Sequence, residues 1–302
     1  MKKLFTLLAL TITFSMNAQV STNSTSPTGI YASAMGNGTT ASGNESTAMG
    51  YDTTASGEAS TAMGYSTTAS AQGSTAMGKL TTASNTASTA MGYQTTASGD
   101  YSTAMGNSST AMGNSSTAMG RNTRASGVYS TAMGYDTTAS DYASLVIGQY
   151  NSSGSSATNA VSFSTSNTAF VIGNGTASNA KSDAFKVMFN GDATVSNDLT
   201  VSGDVVISSD ARLKSNIVSL GSTLPKLLQI DGKSYEMKGK QKIGVLAQEI
   251  QEVFPELVSE DDNEMLAVNY QGLVPVLINA LKDQQNEIDE LKEMVQALIS
   301  RK

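Results

Sequence analysis

Ser46-Thr47-Ala48-Met49-Gly50-Tyr51-Asp52 followed by Thr53-Thr54-Ala55-Ser56-Gly57-Glu58-Ala59 is the stretch on which the fold turns. Its two seven-residue halves each carry Thr-Ala-x-Gly, and together they make a fourteen-residue unit. The unit recurs: Met35, Met49, Met63, Met77, Met91, Met105, Met119 and Met133 stand fourteen apart, and Ile147 keeps the register. One irregularity supports the seven-residue module. Asn107 to Gly113 and Asn114 to Gly120 use the Met half twice, and the count survives because any two halves make one coil. A small-apolar pair followed by Gly suits a short strand closed by a tight turn, with Gly at a positive-φ or close-approach position. Helix is excluded by the repeated Gly, Ser, Thr and Asn and by the lack of a 3.6-residue apolar stripe. Ser/Thr/Gly/Asn-rich chains are commonly disordered, but a period this strict argues for stacked coils.

Each coil offers an Ala-Met pair and one further Ala to an interior, too little apolar area for one chain to offset its ordering entropy. The missing core is expected from neighbouring coils and from other chains, with the Met residues as core filling. Residues 30–150 resemble the head repeats of trimeric autotransporter adhesins of the YadA type, with Met where that family places Ile. The resemblance implies a left-handed parallel β-roll in which three chains pack side by side. At about 4.8 Å per coil, eight or nine coils give a rod on the order of 40 Å long. The variable pairs Tyr51-Asp52, Tyr65-Ser66, Lys79-Leu80, Tyr93-Gln94 and Arg121-Asn122 are then expected at turns facing solvent, where a host-surface, matrix or glycan ligand would bind. The membrane β-barrel that anchors those adhesins has no counterpart in this sequence, so no integral membrane anchor is expected.

Working toward the N-terminus, Lys2-Lys3, an apolar run from Leu4 to Phe14 and Ser15-Met16-Asn17-Ala18 read as an export signal, residues 1–18, cut after Ala18. The run is shorter than the roughly 20 residues a membrane helix needs. Residues 19–29 are read as a linker, and the mature chain as exported to the cell surface or medium.

Toward the C-terminus, residues 151–207 are read as a β-rich stalk or neck. Asn151 to Thr168 is Ser/Asn-rich, and Ala184 to Phe189 and Asp198 to Ile207 alternate in period two on either side of Asn190-Gly191-Asp192, a hairpin signal. Charge density rises after residue 210. Ser209-Asp210-Ala211-Arg212-Leu213-Lys214-Ser215-Asn216-Ile217, Ile243 to Glu249, Phe254-Pro255-Glu256-Leu257-Val258 and Val268 to Leu273 together resemble the C-terminal intramolecular chaperone and self-cleaving serine peptidase domain of phage endosialidases and tail fibres, over about residues 208–302. That resemblance implies a Ser-Lys dyad at Ser209 and Lys214, which would cut the chain within Ser208, Ser209 and Asp210. Family precedent favours the Ser209-Asp210 bond. Attack by a serine on its own carbonyl needs a four-membered ring, so Ser208-Ser209 stays open. Arg212 is a supporting residue that positions the strand or favours the neutral lysine; Gln248 and Glu249 are candidates for holding the assembly or gating the cut. The bland alternative makes Ser209 and Asp210 a cap for the turn that follows.

Leu277, Leu281, Gln284, Ile288, Leu291, Val295 and Leu298 alternate in steps of four and three, a coiled-coil seam over residues 273–302. The competing view folds this helix back onto its own domain. The fold class expected is thus mainly β: a trimeric left-handed parallel β-roll head, a β-rich neck, then a small α+β chaperone domain ending in a coiled-coil helix.

The 302 residues contain no Cys, His or Trp, and only 14% are charged. Disulfides, His-based triads and ordinary zinc, haem or iron–sulfur sites are excluded, and neither metal nor cofactor is expected. A net charge of −7 argues against nucleic acid. The function expected is a homotrimeric, adhesin-like surface or secreted fibre whose chaperone aligns three chains and cuts itself away, a single self-directed turnover. A phage tail-fibre or spike component is the alternative, and the export signal speaks against it. Glu45, Asp52, Glu58, Asp100 and Asp136 are scattered on turns rather than paired for glycoside hydrolysis. A purely structural filament is the third reading.

Overall fold

The computed structural model describes residues 22–261 and 264–301; the export signal lies outside the described residues. The chain divides into two compact units, one ending at Gly203 and the other Asp204–Lys302.

The first unit is a β-solenoid. Each coil has a five-residue strand such as Thr47–Tyr51 and a two-residue strand such as Thr54–Ala55. Nine five-residue strands run from Ser33–Asn37 to Leu145–Gln149. Each pairs in parallel with its equivalent one coil on, Ala48 beside Ala62 and Met49 beside Met63, while Ala55 pairs with Ala69 in a second sheet. The seven-residue module is written into the backbone. Positive φ recurs every seventh residue from Ser24 to Tyr150, through Asp52 (φ 54), Ala59 (φ 52) and Ser66 (φ 50). A non-glycine residue in that conformation costs roughly 1–2 kcal/mol. The cost is offset because each such amide reaches the coil below: Asp52 N–H donates to the Asn37 carbonyl at 2.8 Å, and Ala59 N–H to that of Asn44 at 2.7 Å.

The interior differs from expectation at one position per coil. Ala48, Ala55 and their equivalents are fully buried, but Met49 and its equivalents are only half-buried and face outward. Adjacent strand residues point to opposite faces, so Ala and Met cannot both enter the roll. The true interior is Ala, Ser and Thr, and the roll is correspondingly thin. Larger side chains enter only at its end, as Val146 and Val171.

The buried hydroxyls fall into two columns with opposite energetics. Ser60 Oγ donates to the Gly57 carbonyl at 2.7 Å, and Ser46, Ser102 and Ser130 repeat the contact. Thr53, Thr67, Thr81 and Thr95 are equally buried, yet their Oγ1 atoms have no partner. An unmade buried hydrogen bond costs about 1–3 kcal/mol. Thr67→Val, which keeps the shape and removes the hydroxyl, is therefore expected to raise stability by on the order of 1 kcal/mol per chain, whereas Ser60→Ala lowers it by about as much. Thermal melts of the two variants beside wild type would check the opposite signs.

Residues 151–167, expected as part of a stalk, are instead tied to the last coils. Ser140 N–H donates to the Gly154 carbonyl, Tyr142 N–H to Asn159, and Val128 N–H to Ala160. Asn151, fully buried, uses its side-chain amide as a further short strand: Oδ1 accepts from Thr138 N–H at 2.8 Å, and Nδ2 donates to the Thr138 carbonyl at 2.9 Å. Asp141, also fully buried, accepts from the amides of Thr158 (2.6 Å), Asn159 (3.3 Å) and Thr168 (2.8 Å). Beyond this cap, Thr168–Asn174 adds a last parallel strand, and Asp183–Met188 pairs with it antiparallel. The expected hairpin turn exists at Asn190-Gly191-Asp192, but its second arm is Ala193–Val195. The alternating run 198–207 forms no strand and stays exposed; a period-two segment is stable only beside sheet neighbours.

The second unit packs three helices and two short hairpins. Lys233–Met237 pairs with Lys240–Gly244, and Val258–Glu260 with Leu266–Val268. Helices α1 (Leu224–Leu227), α2 (Ala247–Val253) and α3 (Leu273–Ser300) complete it. Ile250, Val253, Phe254 and Val276 form its core. No helix among the described residues is long and apolar enough to cross a membrane.

Candidate functional site

Ser209 and Lys214 are brought together by a one-turn 3-10 helix, Ala211–Leu213. Asp210 caps it: Oδ1 accepts from Arg212 N–H at 2.8 Å, as expected of an N-cap aspartate. The turn closes when Lys214 N–H donates to the Ala211 carbonyl, and Lys214 itself is extended. This bend returns the lysine side chain, and Nζ donates to Ser209 Oγ at 2.8 Å. The cap and the Ser209–Lys214 contact thus share one turn: Asp210 caps it, and the turn brings Lys214 to Ser209.

Arg212, expected as a supporting residue, bonds to Asp210. Its guanidinium grips Asp210, with Nη2 at 2.7 Å from Oδ2 and Nε at 3.1 Å from both oxygens. The side-chain bond to Arg212, then that from its backbone, holds the Asp210 carboxyl below the usual range, and Asp210 in turn raises the Arg212 guanidinium. The arginine charge is thus paired with the carboxylate that caps the turn. Ser208, Ser209, Asp210 and Lys214 are all exposed, and the flanking apolar residues are uncovered too: Val206 is 87% exposed and Val218 83%.

Gln248 and Glu249 lie on α2 and part company. Glu249 Oε1 stands 3.2 Å from Lys233 Nζ, and its Oε2 accepts from Asp231 N–H, so it ties α2 to the first hairpin. Gln248 lines a cavity of about 330 Å³ with Tyr235, Val245, Leu266 and Tyr270. The Tyr270 hydroxyl accepts from Val245 N–H at 3.2 Å. The bonds of Glu249 go to the hairpin rather than to Ser209 or Lys214.

Helix α3 packs one face onto its own domain and leaves the face with the expected seam exposed. Val276 and Ala280 are buried and Asp283 binds the start of α1, accepting from Ser222 Oγ (2.9 Å) and the amides of Thr223 (2.9 Å) and Leu224 (3.2 Å). Thr223 Oγ1 adds a bond to the Val276 carbonyl. One residue round the helix, the seam is free: Leu281 and Leu298 are each 64% exposed, and Leu277, Gln284, Ile288, Leu291 and Val295 are exposed with them. Asp283 had no sequence signal beyond its spacing of seven from Val276. Hydrogen bonds from Ser222 and then the Leu224 amide hold its carboxyl below the ordinary value. A depressed carboxyl contributes stability above its unfolded pKa and loses it as pH falls through the folded one. Below about pH 4 the hold of α3 on α1 is therefore expected to weaken. Hydrogen exchange at Leu227 and Leu228 across pH 2–6 (~) would register it, and Asp283→Asn should be weaker at neutral pH and flat through the acid range.

Comparison with known families agrees with this arrangement. The model described as chaperone of endosialidase matches residues 209–259, which contain Ser209, Lys214, Gln248 and Glu249. The model described as YadA head domain repeat matches residues 28–53, 55–81, 83–109, 111–137 and 125–151. No curated protein matches the chain. The chain therefore carries YadA head domain repeats through its solenoid and an endosialidase-type chaperone module behind them.

Proposed function

We propose that the protein is an exported homotrimeric fibre with an adhesin-like head, aligned by its C-terminal module, which then cuts itself off through Ser209 and Lys214. The observation that carries the reading is the 2.8 Å contact between Lys214 Nζ and Ser209 Oγ, set within apolar residues that one chain leaves in water. Three features support assembly. The outward Met ladder of the head, continued by Ile147 and Ile172, is a half-buried apolar stripe outside the roll's own core. The run 199–207 pairs with no strand among the described residues. The α3 seam is exposed along three heptads. Parallel non-local pairing folds slowly, and a module that registers three chains before the head zips up removes that obstacle.

In the cut, Lys214 must be neutral to accept the Ser209 hydroxyl proton. Water stabilises an exposed ammonium, so covering the pair with neighbouring chains favours the neutral amine and links cleavage to assembly. The freed oxygen bonds to a peptide carbonyl carbon, the C–N bond breaks, the departing nitrogen takes the proton from Lys214, and water hydrolyses the resulting ester. Attack on the Ser208 carbonyl passes through a five-membered ring; attack on the Ser209-Asp210 bond suits a serine from a neighbouring chain.

Residues 19–302, with Ser209→Ala and Lys214→Met beside them, test this by intact mass and light scattering. Wild type should split beside residue 209, and both variants should stay whole, all three as trimers. The fragment mass names the bond. Uncut trimers would make the module a permanent assembly domain, and monomers would overturn the fibre.

A further inference from the structure

The residue after each strand Gly forms a ladder up one edge of the solenoid, one rung per coil, about 4.8 Å apart. Tyr51 and Tyr65 stack with centroids 5.0 Å apart and planes 8° from parallel. Lys79 sits between rings, its Nζ 5.4 Å from the Tyr65 centroid and 5.8 Å from that of Tyr93. Arg121 lies over Tyr135 at 5.3 Å. All but the half-buried Tyr135 are exposed, and neither cation makes an ion pair with a carboxylate among the described residues.

The charge pattern marks off the middle of this edge. From Tyr65 to Asn122 the rung residues and those following them include Lys79, Arg121, Gln94 and Asn107 but no Asp or Glu; Asp52 and Asp136 close the two ends. In a chain of net charge −7 that is a local reversal. The two cations are three coils apart, about 14 Å, on a rigid ladder and already held by ring faces.

We infer that this edge binds a linear acidic polysaccharide laid along the rod, with Lys79 and Arg121 taking its carboxylates or sulfates and Tyr65, Tyr93, Gln94 and Asn107 its ring hydroxyls. The inference deepens the reading of the head as a binding rod and rests on it. Cations held by cation–π contact lose little freedom on meeting an anion. Exposed tyrosines such as Tyr65 and Tyr93 combine a ring face with a hydroxyl that can bond sugar hydroxyls, and planar amides donate and accept in one plane. The ladder pitch is close to the length of one pyranose ring, so successive sugars meet successive rungs.

The full fibre is titrated by calorimetry at low salt with hyaluronate, heparin, uncharged dextran and poly-glutamate, beside Lys79→Gln/Arg121→Gln and Tyr93→Ser. Hyaluronate or heparin should bind, weakening as salt rises, and the two distinguish carboxylate from sulfate recognition. The double variant should lose at least tenfold in affinity (~) with its trimer and melting temperature unchanged, and dextran and poly-glutamate should not bind. Failure of every acidic glycan, equal binding of poly-glutamate, or an unaltered double variant would each overturn the assignment. Light scattering on the same samples separates these outcomes from a failure to assemble.

Discussion

Gly92→Ala is expected to lower the stability of the head by about 3 kcal/mol per chain or more, while Gly73→Ala costs roughly 1 kcal/mol. The two glycines both have positive φ, at +118 and +65. Their surroundings differ. A Cβ on Gly92 would overlap the carbonyl oxygen of Gly106 in the next coil, and a φ near 118 lies where side-chain-bearing residues scarcely go. Relief would require two coils to separate and give up ladder hydrogen bonds on both sides. At Gly73 the nearest atom to an added Cβ is the Ala87 Cα at 3.9 Å, an ordinary contact, and Ala59 and Ala87 already occupy equivalent positions. Urea unfolding of the two variants would separate the costs of close approach and left-handed backbone. Equal losses would mean that coil-to-coil approach does not limit this roll.

That distinction was partly legible in the repeat. The fourteen-residue spacing located every coil, and Gly after Met pointed to close approach or positive φ; both hold at Gly50 and its equivalents. The seven-residue rhythm of left-handed residues was hidden because it falls on Asp, Ala, Ser, Gln and Tyr alike. It is imposed by hydrogen bonds to the preceding coil rather than by side-chain type. The Met ladder was assigned inward because apolar character was read ahead of strand alternation; period two sends Ala48 in and Met49 out. The hairpin turn was legible, its second arm was not, since 193–195 is too short to display alternation. At the candidate site, the family resemblance paired Ser209 with Lys214, but no spacing rule could say that Arg212 would close on Asp210.

Asp141 is the least conspicuous of these residues and the one whose loss should cost most. It stands in the register of Gly99, Gly113 and Gly127, so the sequence marks the end of the repeat by a carboxylate where a glycine is due. Its two oxygens hold three amides, those of Thr158, Asn159 and Thr168, and so fasten the capping segment and the last parallel strand together. Asp141→Ala would orphan these donors and leave a cavity, a loss expected to reach about 3–5 kcal/mol. Asp141→Asn keeps one acceptor oxygen but turns an NH2 toward amides, and should fall between alanine and wild type. The damage should be directional. With the cap loosened, the short-strand ladder ends at Thr138–Ala139 with open hydrogen-bonding groups, and such an edge recruits other edges. Hydrogen exchange should quicken first at Thr158 and Thr168 and last at the middle coils, with light scattering rising in step. Uniform quickening along the rod would instead mean that the cap contributes only overall stability and does not guard the edge.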